Sequence, residues 1–246
     1  MARKARQKSS TGIYHVIIRG IGKQILFEED QDRQYFLNLL KKYKSEQQIS
    51  LYCYCLMENH VHLLVHDKED CLDMFMKKVE GSYAFYYNQK YERSGSLFQG
   101  RYKSEPVEND AYFKTVIRYI LKNPEKALIC KAETYVWSSC AEYKGEKTSI
   151  TDTDYVIHHF GSRQKLLLFL KEENDDKCLE ITPPAMTDTR AQKIIREVLS
   201  VNSGTALQAY GRAERDEAIR TLKSMGLSVR QIERLTGINR GIVLKA

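Results

Sequence analysis

Two histidines one residue apart offer the clearest chemistry in this chain of 246 residues. They lie in the triplet His60-Val61-His62, on a predicted strand over 60–66 that returns from a strand over 50–57 through a tight turn at Glu58-Asn59. Side chains alternate along a strand, so both imidazoles point the same way and could share one metal ion. Two polar residues on the wet face of a sheet are the alternative, and His66, further along that face, is expected to be incidental.

A second pair of candidate residues lies on a helix predicted over 111–123, which we expect Pro124 to stop. Tyr119 and Asn123 are four residues apart and therefore lie one above the other on one helix face. An asparagine amide oxygen can bind a hard cation, and a tyrosine phenol can attack an electrophile that a metal polarises. The alternatives are a core aromatic, since the chain has 16 tyrosines, and a helix C-cap before proline.

The elements that would position these residues follow an alternating order. Hydrophobic spacing predicts strands over 13–19, 50–57 and 60–66, helices over 31–44, 72–90 and 111–123, and a glycine-punctuated loop or hairpin over 94–103. This order is typical of an α+β fold with a ferredoxin-like, split βαβ antiparallel sheet. We expect the helices to cover one face of that sheet.

Charge divides the chain into a basic, an acidic and a second basic part, within a net charge of +7. Residues 1–144 carry 23 basic and 18 acidic side chains, residues 145–184 carry 5 and 8, and residues 185–246 carry 11 and 6. We therefore predict a basic arm over 1–11, a first domain over 12–144, a helical connector over 145–184 and a helical domain over 185–246. Thr182-Pro183-Pro184 reads as a linker.

Composition excludes several classes of protein. With 42% hydrophobic and 29% charged residues, the chain is neither disordered nor collagen-like. Its longest large apolar run, Leu166 to Leu170, is too short to cross a bilayer, and no apolar stretch follows the basic N-terminus. The six cysteines form no Cys-x-x-Cys pair, which argues against a thiolate zinc site and favours reduced thiols in a cytoplasm.

Basic side chains near the candidate site predict contacts with an anionic strand. Arg101 and Lys103 flank Tyr102, an arrangement suited to holding phosphates while a ring stacks on a base. Lys114, Arg118 and Lys122 follow one another at one-turn intervals near Tyr119, and Arg19 and the N-terminal arm are further candidates. A solvated basic face is the alternative for each of them.

The end of the chain shows a pattern of helices with defined boundaries. A helix over 212–225 is ended by Gly226, Ser228 and Gln231 form a capping box, and Asn239 caps a last helix over 240–246. The unit resembles the helix-turn-helix of recombinase-like and replication-initiator DNA-binding domains. Arg240 and Lys245 are candidates for duplex contacts, with Arg230 and Arg234 on phosphates. A small packing or dimerisation module is the alternative.

Five motifs occur together in a characteristic order over residues 12–144. They are Tyr14-His15-Val16 with Arg19-Gly20, the stretch from Tyr54 to Val65, Leu97 to Ser104, Arg118-Tyr119-Ile120 with Asn123-Pro124, and Trp137-Ser138-Ser139. In this order the motifs resemble the REP-associated tyrosine transposases, a branch of the single-tyrosine HUH transposases. The chain departs from relatives at Glu58, where they often have proline, and at Ile120-Leu121-Lys122, where they often carry histidine.

The resemblance implies an HUH endonuclease fold and a metal-dependent endonuclease and strand transferase. His60, His62 and Asn123 would bind magnesium or manganese, and Tyr119 would be the nucleophile that forms a 5′-phosphotyrosine. The substrate would be single-stranded DNA beside hairpins, bound by a monomer or homodimer in the nucleoid of a bacterial cytoplasm, without membrane contact. The main alternative is a catalytically silent or domesticated protein that binds hairpin DNA in a regulatory role. A metal-binding hydrolase unrelated to DNA is the third possibility, which the basic parts of the chain disfavour.

Overall fold

A computed structural model describes residues 6–172, 176, 178, 179, 188–201 and 203–246. The chain divides into two compact units, Met1–Glu180 and Ile181–Ala246. The predicted linker over 182–184 and the first five residues of the predicted basic arm lie outside the described residues.

The first unit contains a four-stranded antiparallel sheet. Its strands are β1 (Ile13–Arg19), β2 (Ile49–Met57), β3 (His60–Asp67) and β4 (Lys103–Pro106), in the spatial order β2-β3-β1-β4. Helix α1 (Asp30–Glu46) connects β1 to β2, and α2 (Leu72–Lys90) connects β3 to β4. The predicted ferredoxin-like α+β fold is confirmed, including the two-residue turn at Glu58-Asn59.

Helices cover both faces of this sheet, so the expectation of one covered face was wrong. One face, here called the apolar face, carries Val61, Leu63 and Val65 of β3 and packs on α1 and α2. The other, here called the histidine face, carries His60, His62 and Leu64 and packs on α3 (Asp110–Leu121). The second layer exists because β2 is apolar in nearly every position, with Cys53 and Cys55 turned toward α3 and fully buried.

Pro124 does not stop the helical structure as predicted. It lies in the first turn of a new helix. Helix α3 stops at Leu121, and α4 (Asn123–Lys126) follows immediately with the proline in its first turn. Proline is tolerated there because the first N–H groups of a helix have no partner within the helix.

The predicted connector is built into the first unit over its described part. Helices α5 (Cys140–Lys144), α6 (Thr153–Phe160) and α7 (Arg163–Lys171) lie beyond α4. Val156, Phe160, Leu166 and Leu170 are buried in the cluster under the histidine face. Apolar burial therefore places this acidic segment in the sheet domain rather than between two domains. No helix among the described residues has the length and apolarity that crossing a membrane requires.

The second unit is entirely helical. Its helices are α8 (Asp188–Leu199), α9 (Arg212–Ser224), α10 (Val229–Thr236) and α11 (Arg240–Lys245), with a 3-10 helix over Gly204–Ala209. Ile219, Leu222, Ile232 and Val243 are fully buried in a core of its own. The predicted capping box of Ser228 and Gln231 is present, and Asn239 caps α11 by accepting a hydrogen bond from the Gly241 N–H at 2.8 Å.

Candidate active site

The histidine pair lies at the start of β3, which is placed between β2 and β1 in the sheet. His60 is opposite Arg19 of β1 and Met57 of β2, whereas His62 is opposite Ile17 and Cys55. The centroids of the two rings are 5.0 Å apart. His62 is buried and His60 is half-buried, so His62 lies inside the domain and His60 lies nearer to the surface.

Each ring of the pair is held through its Nδ1 atom. The His60 Nδ1 lies 2.8 Å from the Asn59 Oδ1, and the His62 Nδ1 lies 3.0 Å from the Nε2 of His15. These contacts leave the Nε2 atom of both rings as the nitrogen that can bind a metal. Such outer hydrogen bonds fix the orientation of metal-binding imidazoles in general.

Burial keeps the three imidazoles neutral. Desolvation lowers the pKa of His15 to about 3 and is the main cause that lowers the pKa of His60 to about 4. A hydrogen bond with Asn123 opposes the shift at His60, while the charge of Arg19 adds to it. The pKa of His62 lies well below its ordinary value, for the same main reason. Neutral rings keep a free lone pair, which is the form that binds a metal.

Tyr119 lies against these rings. Asn109 caps α3 by accepting a hydrogen bond from the Tyr112 N–H at 2.8 Å, and two turns later the helix places Tyr119 over the histidine face. The centroid of its ring is 5.7 Å from that of His62 and 5.8 Å from that of His15, edge-on in both cases. The candidate nucleophile is thus in contact with the candidate metal ligands.

Asn123 joins the same group at the start of α4. Its Nδ2 lies 3.4 Å from the Tyr119 main-chain oxygen, and its side chain hydrogen-bonds with the His60 ring. Lys122, not Asn123, is the C-cap of α3, so the alternative role of Asn123 as that cap does not apply. Tyr119 near the end of α3 and Asn123 at the start of α4 thus both reach the two histidines.

The donor set of this group fits a divalent cation. Within the described part of the chain, no three His, Cys, Asp or Glu side chains cluster to hold an ion. The alternative set is two imidazole nitrogens and one amide oxygen, from His60, His62 and Asn123. The rings are neutral and oriented through Nδ1, and the amide already reaches His60. Imidazole ligands suit manganese better than magnesium.

The predicted DNA-contact residues are placed in different surroundings. Arg101 and Lys103 are exposed, and Arg19 lies beside His60 at the end of β1. The Lys114 ammonium lies 5.4 Å from the ring centroid of Phe160. Arg118 is buried and pairs with both oxygens of Asp176 at 2.7 and 2.9 Å, so its guanidinium is engaged within the chain.

Lys122 is likewise engaged within the chain, since its ammonium donates to the Glu172 main-chain oxygen at 3.1 Å. In the second unit, the four candidate side chains are all exposed on α10 and α11; they are Arg230, Arg234, Arg240 and Lys245. The exposed cations thus lie just before β4, at its first residue and on the last two helices rather than along α3.

Two residues of the group were missed from the sequence. His15 lies on β1 diagonally across from His62, and its role depends on a strand register that spacing within one strand does not give. Lys126 places its ammonium 4.1 Å from the ring centroid of Tyr119. Its spacing of seven residues from Tyr119 is a helical signal, but it carries weight only if the helix direction continues past Pro124.

Known proteins are similar to this chain in sequence and in fold. Residues 8–123 match the family model described as "Transposase IS200 like". A solved REP-associated tyrosine transposase bound to a REP hairpin has a TM-score of 0.53 at 12% identity, covering 62% of this chain and 94% of that one. A transposase structure from Deinococcus radiodurans, described as a putative one, is 19% identical over 46% of this chain and 92% of that one, with a TM-score of 0.34.

No curated protein matches the sequence. The solved structure with the higher TM-score shows the fold, and the family model spans β1 through Asn123, which includes both histidines and the tyrosine helix. Over residues 8–123 the chain is therefore similar in sequence to the IS200-like transposases.

Proposed function

We propose that the protein is a metal-dependent single-stranded DNA endonuclease and strand transferase in which Tyr119 is the nucleophile. The observation that carries the proposal is the contact of the Tyr119 ring with His62, beside His60 and Asn123. A phenol next to two neutral, oriented imidazoles is an arrangement suited to phosphoryl transfer. Hairpin-flanked target sites are part of the proposal because the similar solved transposase is bound to a REP hairpin.

The proposed reaction is an in-line displacement at phosphorus. The Tyr119 phenol gives its proton to water and its Oη forms a bond to the phosphorus. The bond to the 3′-oxygen breaks, and this oxygen takes a proton from water, so that the strand leaves with a free 3′-hydroxyl. The new bond is a 5′-phosphotyrosine, which keeps the energy of the phosphodiester, and a 3′-hydroxyl can reverse the step without ATP. A divalent cation held by His60, His62 and Asn123 would withdraw negative charge from the scissile phosphate.

Covalent adducts with labelled DNA test the proposal. The substrates are 5′- and 3′-labelled single-stranded hairpins from the genomic flanks of the protein's own gene, with magnesium or manganese. We expect a metal-dependent adduct that Tyr119→Phe abolishes. Tyr112→Phe is the matched control because Tyr112 lies on the same helix but hydrogen-bonds to Glu105. Tight binding without an adduct in either metal would contradict the proposal and favour the silent hairpin-binding protein.

We further propose that the second unit reads duplex DNA through α10 and α11. Its support is the exposure of Arg230 and Arg240 on two capped helices joined by a glycine turn, with Gly237 at a φ of 71°. Arg240→Ala should lower affinity for a hairpin stem about tenfold while cleavage of a minimal single strand survives. Arg212→Ala, an exposed arginine on α9, is the control. Equal loss of both activities in Arg240→Ala would contradict an independent reading unit.

A further inference from the structure

Lys126 brings a positive charge to the candidate nucleophile. It is the last residue of α4, and its ammonium lies 4.1 Å from the centroid of the Tyr119 ring. A hydrogen bond from Nζ to the Asp176 main-chain oxygen, 3.0 Å long, holds the side chain there. The charge also reaches the histidine pair, since it contributes to the low pKa of His62.

The surrounding group is otherwise nearly neutral. His15, His60 and His62 are uncharged at neutral pH, and Asn123 carries no charge. Arg19 is a second cation, but it lies on the His60 side of the pair, opposite that residue in the strand register. In this group Lys126 is therefore the cation in contact with the nucleophile.

Attack by a tyrosine places negative charge where this ammonium can act. In the transition state of phosphoryl transfer, charge is spread over the non-bridging oxygens, and preorganised cations there lower the barrier. The reacting oxygen and phosphorus approach to about 3–3.5 Å before the bond forms. Because the Lys126 Nζ lies 4.1 Å from the centre of the same ring, a phosphate that the Tyr119 Oη attacks comes close to this ammonium.

We propose that Lys126 is a catalytic residue whose ammonium binds a non-bridging oxygen of the scissile phosphate as Tyr119 attacks it. The inference rests on the proposed phosphotyrosine reaction. The Tyr119 phenol gives its proton to water, its Oη forms a bond to phosphorus, the bond to the 3′-oxygen breaks, and the leaving oxygen takes a proton from water. Lys126 stays protonated throughout and contributes charge and one hydrogen bond.

The test compares a normal phosphodiester with a methylphosphonate at the scissile position, which lacks one charged oxygen. The substrate is the hairpin strand that the wild-type protein cleaves, and the readout is the single-turnover rate of adduct formation. We expect Lys126→Met to lose about a hundredfold on the phosphodiester but only a few-fold on the methylphosphonate. Lys126→Arg, which keeps the charge, should recover most of the rate. Lys131→Met removes an exposed charge nearby and should change either rate less than twofold.

The ratio of the two rates within one variant does not depend on how much of that variant is folded. The ratio therefore distinguishes two roles of Lys126. Loss of its hydrogen bond to Asp176 would slow the reaction equally on both substrates, whereas loss of its charge beside the phosphate would slow only the phosphodiester. An equal loss on both linkages, or a Lys126→Met rate like that of Lys131→Met, would overturn the inference while leaving the proposed function intact. Absence of any wild-type adduct would overturn both.

Discussion

The two faces of the central sheet differ in what the side chains of strand β3 contact. On the apolar face, Val61, Leu63 and Val65 are fully buried against α1 and α2. On the histidine face, His60 and His62 alternate with them and meet Tyr119 of α3. One face of β3 therefore contributes to the stability of the fold, while the other carries the side chains of the proposed reaction. Substitutions on the two faces should therefore separate folding from activity.

The histidine face should lose activity with little loss of folding. His62→Ala removes one of two imidazoles that can bind the cation, so we expect metal-dependent adduct formation to fall by a hundredfold or more, on the order of the loss of a catalytic metal interaction. Adduct rates at several manganese concentrations measure the effect. An adduct rate close to that of wild type would show that the pair is not a metal site.

The apolar face should show the reverse. Leu63→Ala leaves a cavity in a fully buried position, and we expect the free energy of unfolding to fall by about 2–5 kcal/mol. Adduct formation per folded molecule should stay the same, as judged from urea unfolding and active fraction together. A specific loss of activity in the folded Leu63→Ala protein would mean that the two faces are not independent.

His15 sharpens the comparison because it belongs to the histidine face without being a candidate ligand. His15→Phe keeps an aromatic ring but leaves the His62 Nδ1 without its partner at 3.0 Å. We expect manganese affinity to fall about 10–100-fold, the usual effect of losing an outer-shell partner. His15→Gln should recover part of the affinity. Titration of manganese by electron paramagnetic resonance reports binding directly, and unchanged affinity in His15→Phe would rule out a positioning role.

Substitution of Asn123 tests whether its amide oxygen contributes to the proposed metal site at the edge of the histidine face. Asn123→Ala removes the amide oxygen but leaves both imidazoles, so we expect adduct formation to fall about tenfold, with partial rescue by excess manganese. Adduct yield across a manganese series checks the prediction. If neither a loss nor a rescue occurs, Asn123 serves only to begin α4.

The last prediction concerns stability at acid pH. The folded protein keeps His15 and His60 neutral down to pKa values of about 3 and 4, whereas unfolded histidines take up protons below about 6.5. The unfolded state therefore binds more protons in this window, and the free energy of unfolding should fall as pH drops from about 6.5 to about 4. Urea midpoints for wild type and His15→Gln measure it, and the variant should show a shallower fall. If the urea midpoints of wild type and His15→Gln fall equally with decreasing pH, the claim that His15 is buried in its neutral form is contradicted.

Much of the histidine face was predictable because its signals are local. Alternation along β3 predicted that His60 and His62 share a side, and four-residue spacing predicted that Tyr119 and Asn123 share a helix face. The structure brings these four together. Helices α9, α10 and α11 of the second unit and their capping residues were predicted for the same reason, since propensity and caps act within a few residues. Helix α8 and the 3-10 helix over Gly204–Ala209 were not predicted.

The features that the sequence did not predict depend on contacts between distant parts of the chain. Strand β4 is four residues long, contains Lys103 and Pro106, and exists because it pairs with Tyr14 to Ile17 of β1. The burial of α6 and α7 against the sheet depends on where that sheet leaves an apolar surface. The contact of Lys126 with Tyr119 depends on Pro124, which starts helix α4. A proline in the sequence does not by itself show whether it starts a helix or ends one.

The central claim is that Tyr119 carries the covalent link to DNA, and peptide mapping of the adduct tests it most directly. Cleavage by trypsin after Arg118 and Lys122 isolates Tyr119 in a short peptide, apart from Tyr112, which precedes Lys114. After nuclease digestion of the bound strand, mass spectrometry should find a phosphate on the Tyr119 peptide only when manganese or magnesium was present. A phosphate on the Tyr112 peptide, or on neither, would contradict the account.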